Sequence, residues 1–220
     1  MVDKRIIEQV VSEQYDELTA MSEFKLCSRK EEDQVDLDSN LAQVVIGVRR
    51  SGKSTLCYNV LKAKGEKFAY VNFDDERLDD LTTNDLNTVL EVLYKIYGDF
   101  KYLFLDEIFD GLDPVVRHLL KKIIINHVSE HDMTVIIASH NLQEVSDICD
   151  HVAIINGKSV VLNSAIEDVS ENFRKVLVTF KNEITEKELE NINYHRIKIS
   201  GKTAMIIVCG DVESEINKLN

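Results

Sequence analysis

Tryptophan is absent from this chain, proline occurs once, at Pro114, and only eight glycines are spread over its 220 residues. That scarcity excludes collagen-like, polyproline and Gly/Ser-linker architectures. No apolar run reaches the eighteen or so residues that a membrane-spanning helix requires. Asp3, Glu8 and Glu13 interrupt the apolar residues at the start of the sequence, which is not the pattern of a signal peptide. Cys27, Cys57, Cys149 and Cys209 have neither metal-ligand nor Cys-x-x-Cys spacing, so reduced, buried thiols in a cytoplasmic protein are expected. Positive charge is also in short supply: 26 Lys and Arg face 39 Asp and Glu, a net charge of −13. Such a balance argues against general affinity for nucleic acid or anionic membrane. A chain that is 44% hydrophobic and 30% charged nevertheless has the composition of a soluble globular protein with one good-sized core.

What is present is concentrated in one stretch. Val44-Val45-Ile46 reads as a buried strand, Gly47-Val48-Arg49-Arg50-Ser51-Gly52-Lys53-Ser54-Thr55 follows directly, and Leu56–Ala63 reads as a helix. This is the Gly-x-x-x-x-Gly-Lys-Ser phosphate-binding loop in its strand–loop–helix context. Gly47 and Gly52 let the backbone turn tightly enough to aim N–H groups at phosphate oxygens. The helix start adds its positive dipole end. Lys53 can reach the outer phosphates, and Ser54 can offer a hydroxyl to Mg²⁺. Arg49, Arg50 and Lys53, together with Mg²⁺, would offset the unfavourable field of an acidic protein.

A second half-motif lies downstream. Tyr102-Leu103-Phe104-Leu105 is a buried-strand pattern ending in Asp106-Glu107, the Walker B arrangement. It carries Asp106 toward a Mg²⁺ shell and Glu107 beside the γ-phosphate, where a carboxylate can activate water. Thr134–Ser139 is another buried strand, and His140 at its C-terminal end points into the ligand crevice of an α/β sheet.

Elsewhere the pattern supplies scaffold. Residues 3–20 form an amphipathic helix with Ile6, Ile7, Val10, Val11, Tyr15 and Leu18 on its apolar side. Residues 22–40 form an acidic connector with a short edge strand at Phe24–Cys27. Phe68–Phe73 is a strand ending in the acidic run Asp74–Asp80, where Arg77 is a cation that could be held ready for a phosphate. Helices are expected at Asp85–Tyr97 and 115–130. His127 and His131 on the latter lack a third metal ligand and read as a surface pair. Val152–Ile155 and Ser159–Leu162 flank Asn156-Gly157-Lys158 as a hairpin. A helix near 164–173 follows. Val176–Phe180, a helix at 185–192, Arg196–Ile199, Ala204–Cys209 and a helix at 211–219 then make a β-α-β-β-α unit.

The first half resembles prokaryotic AAA-type ATP-binding proteins, on the N-terminal helix, Gly47–Thr55, Val71–Leu78 and Tyr102–Glu107. The second half resembles the nucleotide-binding subunit of ABC transporters. Leu105–Pro114 is similar to its Walker B and D-loop, Ile136–Val145 to its switch-histidine segment, and Asp150–Lys158 to the hairpin that follows. That resemblance implies Glu107 as catalytic glutamate, His140 as γ-phosphate contact and Asp113 as an intersubunit contact. The ABC signature Leu-Ser-Gly-Gly-Gln is absent, no glutamine lies between Lys53 and Asp106, and no arginine finger stands out. A chimera joined near residues 103–108, of recombined or engineered origin, is consistent with this pattern, because both families share the strand logic of one parallel sheet.

The expected fold is therefore α/β: a P-loop NTPase parallel sheet flanked by helices over residues 1–173, with a small C-terminal α+β appendage at 174–220. The expected function is Mg²⁺-ATP binding with weak or partner-dependent hydrolysis; the alternative is a non-catalytic nucleotide-binding scaffold. No guanine-specifying Asn-Lys-x-Asp occurs, which favours ATP over GTP. The expected site has Glu107 and His140 as catalytic groups, Gly47–Thr55 around the phosphates, and Ser54 and Asp106 on Mg²⁺. A homo-oligomer through the nucleotide face is compatible with it, whereas nucleic acid and direct membrane insertion are not expected.

Overall fold

The apolar runs become the inner strands of a sheet because their side chains are buried on both faces. In the computed structural model the described residues are 2–21, 29, 32, 35, 42–108, 114–131, 133–145, 147–157, 159–210 and 212–218. The expected edge strand at Phe24–Cys27, most of the acidic connector, Asp113 with the rest of 109–113, and Lys158 lie outside them. Contacts divide the chain into two compact units, Met1–Asn163 and Ser164–Asn220.

In the first unit, β1 (Ala42–Gly47), β3 (Tyr102–Asp106) and β4 (Thr134–Ser139) are buried at every position. With β2 (Phe68–Asn72), β5 (His151–Asn156) and β6 (Ser159–Ala165) they form a six-stranded sheet in the order β2-β3-β4-β1-β5-β6. The β2/β3, β3/β4, β4/β1 and β1/β5 pairs are parallel. The two-residue side-chain period splits the sheet between its faces. Tyr102, Phe104, Ile136 and Ala138 pack with Leu56, Cys57, Val60 and Leu61 of α2 (Lys53–Lys64). Leu103, Leu105 and Val135 face the opposite way, toward α3 (Thr83–Tyr97) and α4 (Pro114–His131). The apolar void left there is only about 20 Å³. His127 lies along its wall, edge-on to Tyr94.

β2 is a sheet edge, and the N-terminal helix covers it. α1 (Lys4–Met21) buries Ile7, Val10, Val11 and Gln14, spaced along one helical face. The Gln14 carboxamide donates to Asn72 O at 3.0 Å and accepts from Asn72 N at 2.9 Å. It thus completes the hydrogen bonding that a missing neighbour strand would have supplied. A 3₁₀ turn at Glu76–Leu78 occupies the middle of the acidic run. α5 (Leu142–Val145) is a single turn after β4.

The second unit comprises α6 (Ile166–Asn172), the antiparallel sheet β7-β9-β8 and α7 (Val212–Asn217). Its strands are β7 (Phe173–Thr179), β8 (Tyr194–Ser200) and β9 (Thr203–Cys209). The helix expected at 185–192 is instead a short 3₁₀ turn, Glu186–Leu189, started by a Thr185/Glu188 capping box. It buries Leu189 and leaves its carboxylates outward, which one turn achieves as well as a full helix. The unit begins at Ser164, ten residues before the boundary expected from sequence, because α6 packs on β7.

Candidate functional site

Strand register brings the site together. Ile46 pairs with Ser139 and Asp106 pairs with Ala138, so the C-terminal ends of β1, β3 and β4 lie level. Asn72 pairs with Asp106 and adds the end of β2. The segments leaving these four ends surround a cleft of about 420 Å³, walled by Arg49, Arg50, Gly52, Lys53, Ser54, Thr55, Asn72, Asp74, Asp106 and Glu107.

The loop after β1 has the geometry its glycines allow. A Cβ on Gly47 would lie 2.6 Å from Ser51 Oγ and 3.2 Å from Ile155 O, so no side chain fits. Gly52 has φ +83°, in the left-handed region, and no side chain caps the start of α2. The first-turn N–H groups, orphaned at any helix start, therefore point at the cleft. Val48, Arg49 and Arg50 are the exposed members of the loop, and Ser51 Oγ is buried without a hydrogen-bond partner among the described residues.

Three side chains form a connected chain that starts on the cleft wall and leads out of it. Lys53 is 4% exposed; its Nζ donates to Gly47 O at 3.1 Å and lies 3.0 Å from Glu107 Oε1. The other Glu107 oxygen, Oε2, is 3.0 Å from His140 Nδ1. Glu107 adopts φ +51°, unusual for a residue with a Cβ. His140 reaches the site through this contact and stands outside the cleft wall.

Asp106 is buried, and Ser54 and Tyr70 hydrogen-bond to it. The Tyr70 hydroxyl donates to Oδ2 at 3.4 Å, while Oδ1 has no partner among the described residues. Burial chiefly, with help from the Glu107 charge, pushes its pKa from 3.8 up to about 6. An unpartnered carboxylate oxygen beside a serine hydroxyl is a donor set suited to a hard divalent cation, so Ser54 and Asp106 fit Mg²⁺. Among the described residues no cluster of three or more His, Cys, Asp or Glu offers another metal site.

Arg77 is not held ready for a phosphate. Its guanidinium is engaged by Asp75 at 2.9 and 2.7 Å and by Glu13 of α1 at 2.7 Å, and it lies outside the cleft wall. Sequence reasoning missed Tyr70, Asp74 and Arg29. Asp74 lies 3.5 Å from Arg49 across the cleft mouth. The Arg29 guanidinium donates to Ser51 O and, at 3.3 Å, to Gly157 O, tying the loop to the turn after β5. Only Asp74 carried a usable signal, as the second residue past the end of β2 and the first acid of the run that follows it.

Parallel strands whose C-terminal ends converge on a Gly-x-x-x-x-Gly-Lys-Ser loop and a buried Asp-Glu pair define a P-loop NTPase. Residues 39–151 match the family described as AAA domain, and the chain belongs to it. The match runs through residues 103–108, where a join between two ancestries was expected, and on to residue 151. An ABC transporter ATP-binding protein of Alkalihalophilus pseudofirmus is 25% identical over 127 residues, 58% of this chain and 47% of that protein. A Methanocaldococcus jannaschii protein, MJ1544, is 36% identical over 123 residues, 54% of this chain and 26% of its own length. The chain thus spans less than half the length of these relatives. Among solved structures, cbiO1 from Clostridium perfringens, part of the ABC transporter complex cbiONQ, superposes with a TM-score of 0.51 at 17% identity. That superposition covers 61% of this chain and 81% of cbiO1, a likeness of fold alone.

Proposed function

We propose that this chain is a cytoplasmic Mg²⁺-ATP-binding protein with weak or partner-dependent ATP hydrolysis. The observation that carries the reading is the Lys53–Glu107 pair on the wall of the cleft beside Asp106, with His140 supporting Glu107 from outside it. The residues Gly47–Thr55 hold the phosphates, with Lys53 leaving Glu107 to pair with the outer ones. Ser54 and Asp106 would hold Mg²⁺, which would supply neutralisation of phosphate charge. Glu107 orients and deprotonates water, and His140 steadies Glu107 and the γ-phosphate edge. The relatives named as ABC transporter ATP-binding proteins support the choice of ATP. No helix among the described residues is long and apolar enough to cross a membrane.

Weak turnover is part of the proposal for a structural reason. Among the described residues the cations on the cleft wall are Arg49, Arg50 and Lys53, and Arg49 faces Asp74; all three come from the phosphate loop and the start of α2 and none is placed across the site, where an arginine is worth about 10³–10⁵ in rate. A second copy meeting this one through the nucleotide face could bring one. The alternative is a non-catalytic scaffold, favoured by the existing Lys53–Glu107 pair, which nucleotide must displace. Titrating Mg²⁺-ATP while following phosphate release, with Lys53→Ala as blank, separates the readings. Binding with release above blank supports the ATPase, binding without release supports the scaffold, and no binding refutes both.

Recombined or engineered origin belongs to the same proposal and rests on the ABC-like segments 105–114, 136–145 and 150–158. A single natural family aligning end to end with this chain would refute it.

A further inference from the structure

Among the described residues of the second unit, its three-stranded sheet is covered on one face only. Val176, Ile206 and Ile197 share a register row and pack against the cluster containing Leu189 and Ile192. The alternate residues form the opposite face. Lys175, Ile207 and Arg196 make one cross-strand row there, and Leu177, Met205 and Lys198 make the next. The middle of this face is aliphatic and cations stand at both margins. Leu177 is 71% exposed. The three strands contain no Asp or Glu; carboxylates cluster instead in the first turns of α6, the 3₁₀ turn and α7.

Size and chemistry narrow what such a face can meet. Strands of this length are about 23 Å long and the outer two lie about 10 Å apart, an area of roughly 250 Å². A stable protein interface needs about 800 Å² per partner, so a globular protein is a poor fit. Single-stranded nucleic acid is bound on aromatic side chains free to stack on successive bases; the two central rows are filled by Leu177, Met205 and Ile207, and Phe173 at the end of the face is met edge-on by His195. Aliphatic side chains framed by unopposed cations match a surface with anionic headgroups above an acyl layer. We propose that this face docks reversibly on an anionic lipid surface, with Lys175, Arg196 and Lys198 at the headgroups and Leu177 at the acyl boundary. The net charge of −13 does not forbid this, because carboxylates beyond about 8 Å are largely screened at physiological salt.

The inference is independent of the nucleotide site and is tested on the full chain by co-sedimentation with phosphatidylcholine vesicles containing about 30% phosphatidylserine. Binding is expected at about 0.1 M salt and lost near 1 M, where the screening length shrinks to about 3 Å. Each cation contributes about fivefold to partitioning, so the triple variant Lys175→Gln/Arg196→Gln/Lys198→Gln should bind roughly 100-fold more weakly. Leu177→Asp should weaken binding about tenfold or more. All four side chains are exposed, so unchanged circular dichroism and Mg²⁺-ATP titration of the variants show that the fold survives. Failure to sediment at low salt, equal binding to pure phosphatidylcholine, or variants that bind like the parent overturn the proposal. Capture of an oligouridylate with the vesicles ignored overturns it in favour of nucleic acid.

Discussion

Replacing Asp106 with asparagine should stabilise the empty protein while disabling its proposed metal site. The buried Asp106 carboxyl has a pKa raised from 3.8 to about 6, mainly by desolvation and also by the neighbouring Glu107 charge. A carboxyl whose folded pKa is raised binds more protons in the native state between those two values. Its contribution to stability therefore declines as pH climbs from about 4 to about 6 and stays low above that. The full penalty is about 3 kcal/mol at pH 8, taking 1.36 kcal/mol per unit. Ser54 and Tyr70 hydrogen-bond less well to an amide than to a carboxylate, which reduces the expected net gain to about 1–2 kcal/mol.

Thermal melts of parent and Asp106→Asn without divalent cation check this. At this chain length each kcal/mol shifts the midpoint by roughly 2–4 °C, so the variant should melt about 2–8 °C higher at pH 8. The pH-dependent part of the advantage should fall to about half at pH 5 and nearly vanish by about pH 4, as the parent becomes protonated. Adding Mg²⁺-ATP should raise the parent's midpoint far more than the variant's. A variant that melts at or below the parent at pH 8, or whose advantage does not change with pH, refutes the account of Asp106 as a costly buried charge.

Lys53→Ala should weaken Mg²⁺-ATP binding about 10–150-fold, the loss of one charged contact of about 1.5–3 kcal/mol, measured by calorimetry. Glu107→Gln should retain binding and slow any phosphate release about 10²–10⁴-fold; turnover at the parent's rate would show that Glu107 is not the base. Gln14→Ala should cost about 1–3 kcal/mol in urea unfolding by leaving Asn72 N–H and C=O unpaired at the sheet edge, and a change within a few tenths would mean water replaces the amide. Asp85 is pushed upward by burial, yet hydrogen bonds from Thr82 and Val2 hold its carboxyl below its ordinary value. Its stabilising contribution is present at neutral pH and lost as pH falls through that lowered value, so Asp85→Asn should cost about 1 kcal/mol at pH 7 and narrow its gap to the parent in acid.

The inner strands were legible in the sequence because burial on both faces leaves an unbroken apolar run, whereas their order in the sheet follows from the strand pairing and not from the motifs. Gly47, Gly52, Lys53, Ser54, Asp106, Glu107 and His140 are all brought to one end of the sheet, because each ends or follows a parallel strand. Tyr70 and Arg29 were not legible, since their contacts depend on which strand neighbours which and on a side chain crossing from a connector. Arg77 misled for a related reason: a cation in an acidic run can serve a ligand or its own neighbours, and only the packing of α1 brings Glu13 to it. The helix expected at 185–192 failed on periodicity, because Leu189 and Ile192 are three apart, a spacing that a short 3₁₀ turn and the segment after it also supply.

Glu107 shows how the fold holds a site its local chemistry resists. A non-glycine residue at φ +51° costs about 1–3 kcal/mol unless the surroundings hold it. Here the backbone N–H donates to Ala138 O at 2.8 Å, extending the β3–β4 ladder one residue past Asp106. The side chain is gripped at both oxygens, by Lys53 and His140. Glycine would relax the backbone, but it would remove the carboxylate that this turn directs across the cleft. Under the proposed function the same grip sets the terms of binding. A phosphate that takes Lys53 from Glu107 must replace one well-made ion pair with another, so affinity reflects only the difference. Glu107, once released on that side, keeps His140 as its remaining support. The carboxylate is then aimed at the space beside the phosphate by a strained backbone and one hydrogen bond, an arrangement that a partner could tighten and that the chain alone holds loosely.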